Sequence, residues 1–200
     1  LAGNSQDGIQ SIGGFLARLA GRSERDVMTM MTIPSTISGG ASIFQVRLGS
    51  GEVLSPGDKA DVLFAFYQHS YDNHVANLAK GGVLVYDSDH VEPCEEWLTK
   101  YRHIGIAISS LTVEAIGGTA RDKGKNIYAL GLIAGMFSLD TTKLERLINE
   151  RFGSKSKSIL KTAMDAFQAG CRYQSNDISN LFRLARGGAE RSNQVVMSGN

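Results

Sequence analysis

Sulfur is scarce in this chain. Two cysteines, Cys94 and Cys171, stand far apart among 200 residues. A disulfide framework, a structural zinc site and an iron–sulfur cluster all need more sulfur at closer spacing. A reducing, cytoplasmic setting is therefore expected, and any metal that carries electrons is expected to sit outside this segment. A charge surplus is also missing. The 21 Lys and Arg residues against 20 Asp and Glu leave a net charge of +1, so no electrostatic case exists for nucleic acid or a membrane surface as partner. The longest nearly continuous apolar run, residues 127–137, falls short of the roughly 20 residues a membrane span requires. Proline is rare as well, with three residues, so few positions are barred from regular structure.

What is present describes a folded globular domain. Hydrophobic residues make up 42% and charged residues 20%, and 200 residues suffice for one buried core with or without a tail. The chain opens on Leu1-Ala-Gly-Asn-Ser-Gln-Asp-Gly8, a polar turn bracketed by glycines. Behind it Ile9, Ile12, Phe15, Leu16, Leu19 and Ala20 recur at the spacing of one helix face. A glycine turn that feeds into a helix N-terminus offers backbone N–H donors without intrahelical partners, which suits a phosphate or carboxylate.

Further along, residues 27–32 and 42–48 read as strands. Between them lies a loop rich in small and hydroxyl residues, with Pro34 and the Gly39-Gly40 pair. Gly49-Ser-Gly51 reads as a hairpin turn into a strand at 52–55. Residues 60–66, 83–87 and 104–108 are short apolar runs of buried-strand type. Residues 70–80 form a helical pattern with Tyr71, Val75 and Leu78 inward, ended by Gly81-Gly82. Asp87 and Asp89 read as a loose, solvated acidic pair. The last third is helical: an apolar helix from Asn126, with Gly131 and Gly135 set for close packing, then a capping box at Thr142-x-x-Glu145, then a helix with Ile159, Ala163, Phe167 and Gly170 inward. Lys155, Lys157 and Lys161 read as a solvated basic face. Buried strands alternating with helices make the expected class α/β, a three-layer Rossmann-like domain with a mostly parallel, mixed sheet.

Residues 174–191 read as a polar linker with one docked apolar turn, and residues 194–200 as a strand and glycine turn. Both ends are expected to fall inside structural units of a longer chain. The four histidines, His69, His74, His90 and His103, show no metal spacing and read as surface or partly buried structural residues. Ser35, Ser38 and Ser42 lack the pattern of a nucleophile elbow. An NAD site would need an acidic residue closing the second strand, where this chain runs Thr32-Ile-Pro34. That leaves a different anionic ligand or a partner surface open.

Several segments in order resemble the gamma domain of 2-oxoacid:ferredoxin oxidoreductases. They are Gly3-Asn-Ser-Gln-Asp-Gly-Ile-Gln-Ser-Ile-Gly13, Ile37-Ser-Gly-Gly-Ala-Ser-Ile-Phe-Gln-Val-Arg47, Ala60-Asp-Val-Leu-Phe-Ala-Phe66, Leu78-Ala-Lys-Gly-Gly-Val-Leu-Val-Tyr-Asp87 and Asn126-Ile-Tyr-Ala-Leu-Gly131, with Phe152-Gly-Ser-Lys155 and Ala166-Phe-Gln-Ala-Gly170 later. The tail, Val195-Val-Met-Ser-Gly-Asn200, resembles the opening of the alpha domain to which the gamma domain is fused in 2-oxoglutarate:ferredoxin oxidoreductases. The resemblance implies a gamma domain at 1–173, a linker at 174–191 and the start of a thiamine-dependent alpha domain at 192–200. It implies oxidative decarboxylation of a 2-oxoacid to an acyl-CoA with ferredoxin as electron acceptor, or the reverse carboxylation. Thiamine diphosphate with Mg and a [4Fe–4S] cluster would serve the assembled enzyme without ligands from this segment. Implied partners are its own alpha domain, a thiamine-binding beta subunit and ferredoxin, in a hetero-oligomer. The positions that would bind coenzyme A are Gly3, Asn4, Ser5 and Gln6, and Ser38, Gly39 and Gly40 would form an active-site loop. Many relatives carry an arginine where this chain has Ser38. Apart from the resemblance, two other readings stand beside it: a phosphate-binding Rossmann-like module, and a structural docking domain.

Overall fold

The computed structural model describes residues 1–4, 8–23, 25–32, 40–49, 51–118, 124–173, 178 and 184. Its strands are β1 (Ala2–Asn4), β2 (Asp26–Thr32), β3 (Ala41–Gly49), β4 (Ala60–Ala65), β5 (Leu78–Asp87) and β6 (Arg102–Ile106). The helices are α1 (Ile9–Gly21), α2 (Gln68–His74), α3 (Glu95–Leu98), α4 (Ile108–Ile116), α5 (Lys125–Met136), α6 (Thr141–Phe152) and α7 (Lys157–Arg172). The strands form one sheet in the order β2-β3-β1-β4-β5-β6. β1, β4, β5 and β6 run parallel to one another, while β3 is antiparallel to both β1 and β2. The expected mixed, mostly parallel sheet is what forms.

Alternation along the strands divides the core between two faces. Phe64, Phe66, Val83, Val85, Ile104 and Ile106 point into the larger cluster, with Ile9, Ile12 and Phe15 of α1 and the apolar sides of α5, α6 and α7. Leu63, Ala65 and Leu84 point the other way, onto Tyr71 and Val75 around α2. Helices therefore cover both faces. α1 lies close on β3 because Gly13 has no side chain: a Cβ there would overlap the ring of Phe44. Gly131 and Gly135 of α5 serve close packing as expected, facing the backbone of Phe167 and Cys171 on α7. Lys155, Lys157 and Lys161 are exposed.

Several local expectations are corrected. The hairpin partner of β3 is β2, and residues 52–55 form no strand. Side chains hold that segment instead. Gln45 donates to the Pro56 carbonyl at 2.6 Å, Arg47 donates to the Ser55 carbonyl at 3.1 Å, and the Val53 amide donates to Asp26. The helix expected at 70–80 ends at His74, and after a 3₁₀ turn over Val75–Asn77 the chain is already in β5. Gly81, at φ +79°, lies within that strand, where the pairing with β4 shifts between Ala60 and Val62, so the glycines mark a bulge and not a helix end. Ile108 begins α4, a helix absent from the sequence reading. The cap of α6 is Asp140, whose carboxylate accepts from the Lys143 amide at 3.0 Å, in place of the Thr142 box. Ile159 is 46% exposed while Ala163, Phe167 and Gly170 are buried. The strand and turn expected at 194–200, and most of the linker, lie outside the described residues; Ile178 is buried against the larger core.

Candidate functional site

In an open α/β sheet, ligands sit outside the carboxyl ends of the strands where neighbouring strands send their connections to opposite faces. β1 and β4 are such a pair. They are parallel neighbours; the chain leaves β1 for α1 on the larger core face and leaves β4 for α2 on the other.

Both stretches singled out in the sequence arrive at this edge. Asn4, the last residue of β1, pairs with Ala41, the first of β3, so Gly40 enters the sheet beside the end of β1. Ala2 pairs with Ala65, and the Phe66 amide donates to the Ala2 carbonyl at 3.1 Å. Gly3 is buried and Asn4 and Gly40 are half-buried. Ser5, Gln6, Ser38 and Gly39 lie outside the described residues. The space a Gly3 side chain would fill is taken by Ile9, whose Cδ1 lies 2.8 Å from an ideal Cβ. Gly8 stands at φ +72° as the N-cap of α1, with the Asn126 side chain against it. The helix N-terminus behind the opening turn is thus bordered by the first turn of α5.

At the same edge, the end of β5 carries the acidic pair that the sequence reading left as solvated. Asp87 is 0% exposed. Its carboxylate accepts from the Ser109 hydroxyl at 2.7 Å and the Ser109 amide at 3.4 Å, and from the Asp89 amide at 3.3 Å. Lys125 Nζ lies 2.8 Å from Asp87 Oδ2, with the lysine side chain 8% exposed. Burial opposes ionisation of Asp87, but the Lys125 ammonium and the hydrogen bonds from Ser109 and Asp89 outweigh it, leaving the carboxyl below its ordinary range. Asp89 meanwhile accepts from the Ser110 amide at 2.7 Å and the Ser110 hydroxyl at 2.9 Å. The two aspartates together satisfy donors at the start of α4, the usual work of acidic groups at a helix N-terminus. The acidic pair is therefore structural at Asp87, which corrects the solvated reading there, while Asp89 is exposed as expected and caps α4.

Tyr67 packs against this buried pair. The Lys125 ammonium lies 4.6 Å from the centroid of its ring, a favourable cation–π placement. His69 and His90 stack against the same ring at 5.8 and 5.3 Å, and His90 Nε2 is 3.1 Å from Ser109 Oγ. His69 lies in α2 just beyond the carboxyl end of β4. No signal marked Lys125 or Ser109 in the sequence, since each is one polar residue at the start of an apolar helix. Gln68, Asp89, His90 and Glu92 line a shallow, open depression on this side. Among the described residues no group of three or more His, Cys, Asp or Glu could hold a metal ion, and no helix is long and apolar enough to cross a membrane.

The class this defines is an α/β domain with a six-stranded mixed sheet covered by helices on both faces. Residues 1–173 match the pyruvate ferredoxin/flavodoxin oxidoreductase family, and the chain belongs to that family. It is 30% identical to the 2-oxoglutarate oxidoreductase subunit KorA of Mycobacterium tuberculosis, across 86% of this chain and 30% of that one. It is 25% identical to the ketoisovalerate oxidoreductase subunit VorA of Methanothermobacter marburgensis, across 91% and 37%. The chain spans about a third of the length of these curated relatives. Among solved structures it superposes on the 2-oxoglutarate:ferredoxin oxidoreductase from Magnetococcus marinus, which holds 2-oxoglutarate, coenzyme A and succinyl-CoA. There the TM-score is 0.80 at 28% identity, covering 94% of this chain and 32% of that one. The gamma subunit of a keto/oxoacid ferredoxin oxidoreductase from Geobacter sulfurreducens shares the fold at TM-score 0.64 and 24% identity, covering 84% and 92%.

Proposed function

We propose that this chain is the gamma domain of an enzyme that converts a 2-oxoacid, 2-oxoglutarate first among candidates, to its acyl-CoA with ferredoxin as electron acceptor, or runs the reverse carboxylation. In this reading residues 1–173 form the gamma domain, 174–191 a linker and 192–200 the start of the alpha domain. The domain helps hold coenzyme A and covers the active site. What supports the reading is the family match over residues 1–173, with Asn4 at the end of β1 paired to Ala41 at the start of β3, in a fold whose relative from Magnetococcus marinus holds coenzyme A. Asn4, with Gly3, Ser5 and Gln6, would supply polar groups to the coenzyme, and Ser38, Gly39 and Gly40 would close over the reacting centre. Gly40 suits such a loop because its backbone N–H is not screened by a side chain.

Thiamine diphosphate supplies carbanion chemistry when bound and a [4Fe–4S] cluster takes electrons. In this reading both are held by the alpha domain, the beta subunit or other parts of a hetero-oligomer, and this chain does not catalyse the reaction alone. Its own contribution is to orient the thiol of coenzyme A and keep water from the reacting centre. In the assembled enzyme, Gly40→Val should raise the KM for coenzyme A about tenfold or more, the scale of effect expected from misplacing a bound reactant. Steady-state titration of coenzyme A at saturating 2-oxoacid checks this. An unchanged KM and turnover would remove the loop from the site.

A further inference from the structure

We propose that the depression beyond the end of β5 is a docking site for a guanidinium group, brought by an arginine of another domain or subunit, with His90 Nδ1 as its acceptor. This goes beyond the coenzyme A reading and stands without it. Gln68, Ser88, Asp89, His90, Val91 and Glu92 line the depression, which measures about 450 Å³ and is open to solvent. His90 is exposed there, yet its ring is fixed from behind. Tyr67 stacks on it at 5.3 Å between centroids, and its Nε2 lies 3.1 Å from Ser109 Oγ. The Ser109 hydroxyl has one proton and gives it to Asp87 Oδ2 at 2.7 Å. Asp87, 0% exposed and paired with the Lys125 ammonium at 2.8 Å, is an acceptor only. Ser109 Oγ must therefore accept from His90, which assigns the proton to Nε2 and leaves the lone pair on Nδ1. Among the described residues nothing hydrogen-bonds to Nδ1.

The rest of the wall is held as firmly and carries one sign of charge. Asp89 is pinned by the Ser110 amide and hydroxyl at 2.7 and 2.9 Å. The Gln68 side chain brackets the next turn of chain, accepting from the Glu92 amide at 2.8 Å and donating to its carbonyl at 3.2 Å. Glu92 itself is exposed, and no lysine or arginine lines the depression. A neutral acceptor and two carboxylates thus stand together where no cation answers them, which suits a cationic N–H donor and disfavours an anion. A guanidinium fits the set better than an ammonium. It is planar, so it stacks on an aromatic face, and its forked donors reach a carboxylate and Nδ1 at once. Walls set in advance lower the cost of ordering on binding. The chain spans about a third of the length of its curated relatives, so the arginine can come from the remainder of such a chain or from a partner subunit.

The test is protection of His90 from diethyl pyrocarbonate, which acylates an unprotonated imidazole nitrogen, in the full-length protein with and without its partner subunit. Rates are read by peptide mass spectrometry at pH values where they no longer rise, so that a changed proton affinity does not enter. The expected result is modification of His90 in the assembled wild type about fivefold slower than in Glu92→Lys, the scale of one exposed ion pair. Glu92→Gln should fall between them. The bonds that hold Glu92 in place are made by its backbone and its side chain is exposed, so these variants keep the fold. Loss of protection when the partner subunit is removed assigns the arginine to that subunit, and protection that persists assigns it to the same chain. Equal rates in wild type and Glu92→Lys, with and without the subunit, overturn the proposal. A carbodiimide cross-link from Asp89 or Glu92 to a lysine of another segment also overturns it, since the amide forms with a lysine amine and not with a guanidinium.

Discussion

Asp87→Ala is expected to cost about 3–5 kcal/mol of stability, the range for breaking a buried pair so that one charge is left without its partner. The carboxylate is 0% exposed and Lys125 is 7% exposed. Removing the former strands an ammonium beside the Tyr67 ring and leaves the Ser109 hydroxyl without its acceptor at 2.7 Å. Denaturant titration of wild type and variant measures the loss. The pH dependence has a definite sign. The Asp87 carboxyl lies below its ordinary value of 3.8 in the folded chain, so its contribution is fully present above that value and disappears as pH falls through the lower folded one. The stability gap between wild type and Asp87→Asn should therefore be constant from neutral pH down to the ordinary carboxylate range and shrink only below it. A gap that instead grows on acidification would contradict the assignment of the charged form to Asp87.

Gly170→Val should cost about 3 kcal/mol, the upper part of the usual range for overpacking a tight interior. A Cβ at Gly170 would overlap the Tyr128 carbonyl oxygen, just as one at Gly131 would overlap that of Phe167. Both obstacles are backbone atoms of a facing helix, so no rotamer change relieves them. α5 and α7 would have to move apart, opening the core around Leu130, Ala166 and Phe167, each 0% exposed. The thermal midpoint reads this out, with Gly14→Val as control, since a Cβ at Gly14 meets nothing within 4 Å. Equal shifts for the two substitutions would show that helix propensity, and not the crossing, governs the effect.

Sequence reasoning worked where side-chain periodicity decides the structure. Ile9, Ile12, Phe15 and Leu19 mark one face of α1, and all four are buried. It failed where the deciding interaction is not local. Leu78 is buried as expected, but a strand spacing and a helix spacing both allow that, and pairing with Ala60 settles it as β5. Residues 52–55 lost the strand suggested by their glycine turn because Asp26, Gln45 and Arg47 bind that segment through side chains. The site divides in the same way. The two glycine-bearing stretches were visible as composition, and the register of Asn4 against Ala41 brings their described ends, Asn4 and Gly40, to one edge of the sheet. Asp87 looked solvated because an aspartate ending a strand commonly is. Its burial depends on Lys125, distant in the chain and carrying no motif.

The most direct test of the account is dye reduction by the full-length protein assembled with its partner subunit, given 2-oxoglutarate or pyruvate, with and without coenzyme A. The account predicts reduction that depends on coenzyme A with one of these 2-oxoacids, 2-oxoglutarate first. Full loading with thiamine diphosphate and cluster but no reduction with any 2-oxoacid, or reduction indifferent to coenzyme A, would contradict it and favour a phosphate-binding or docking role for this domain.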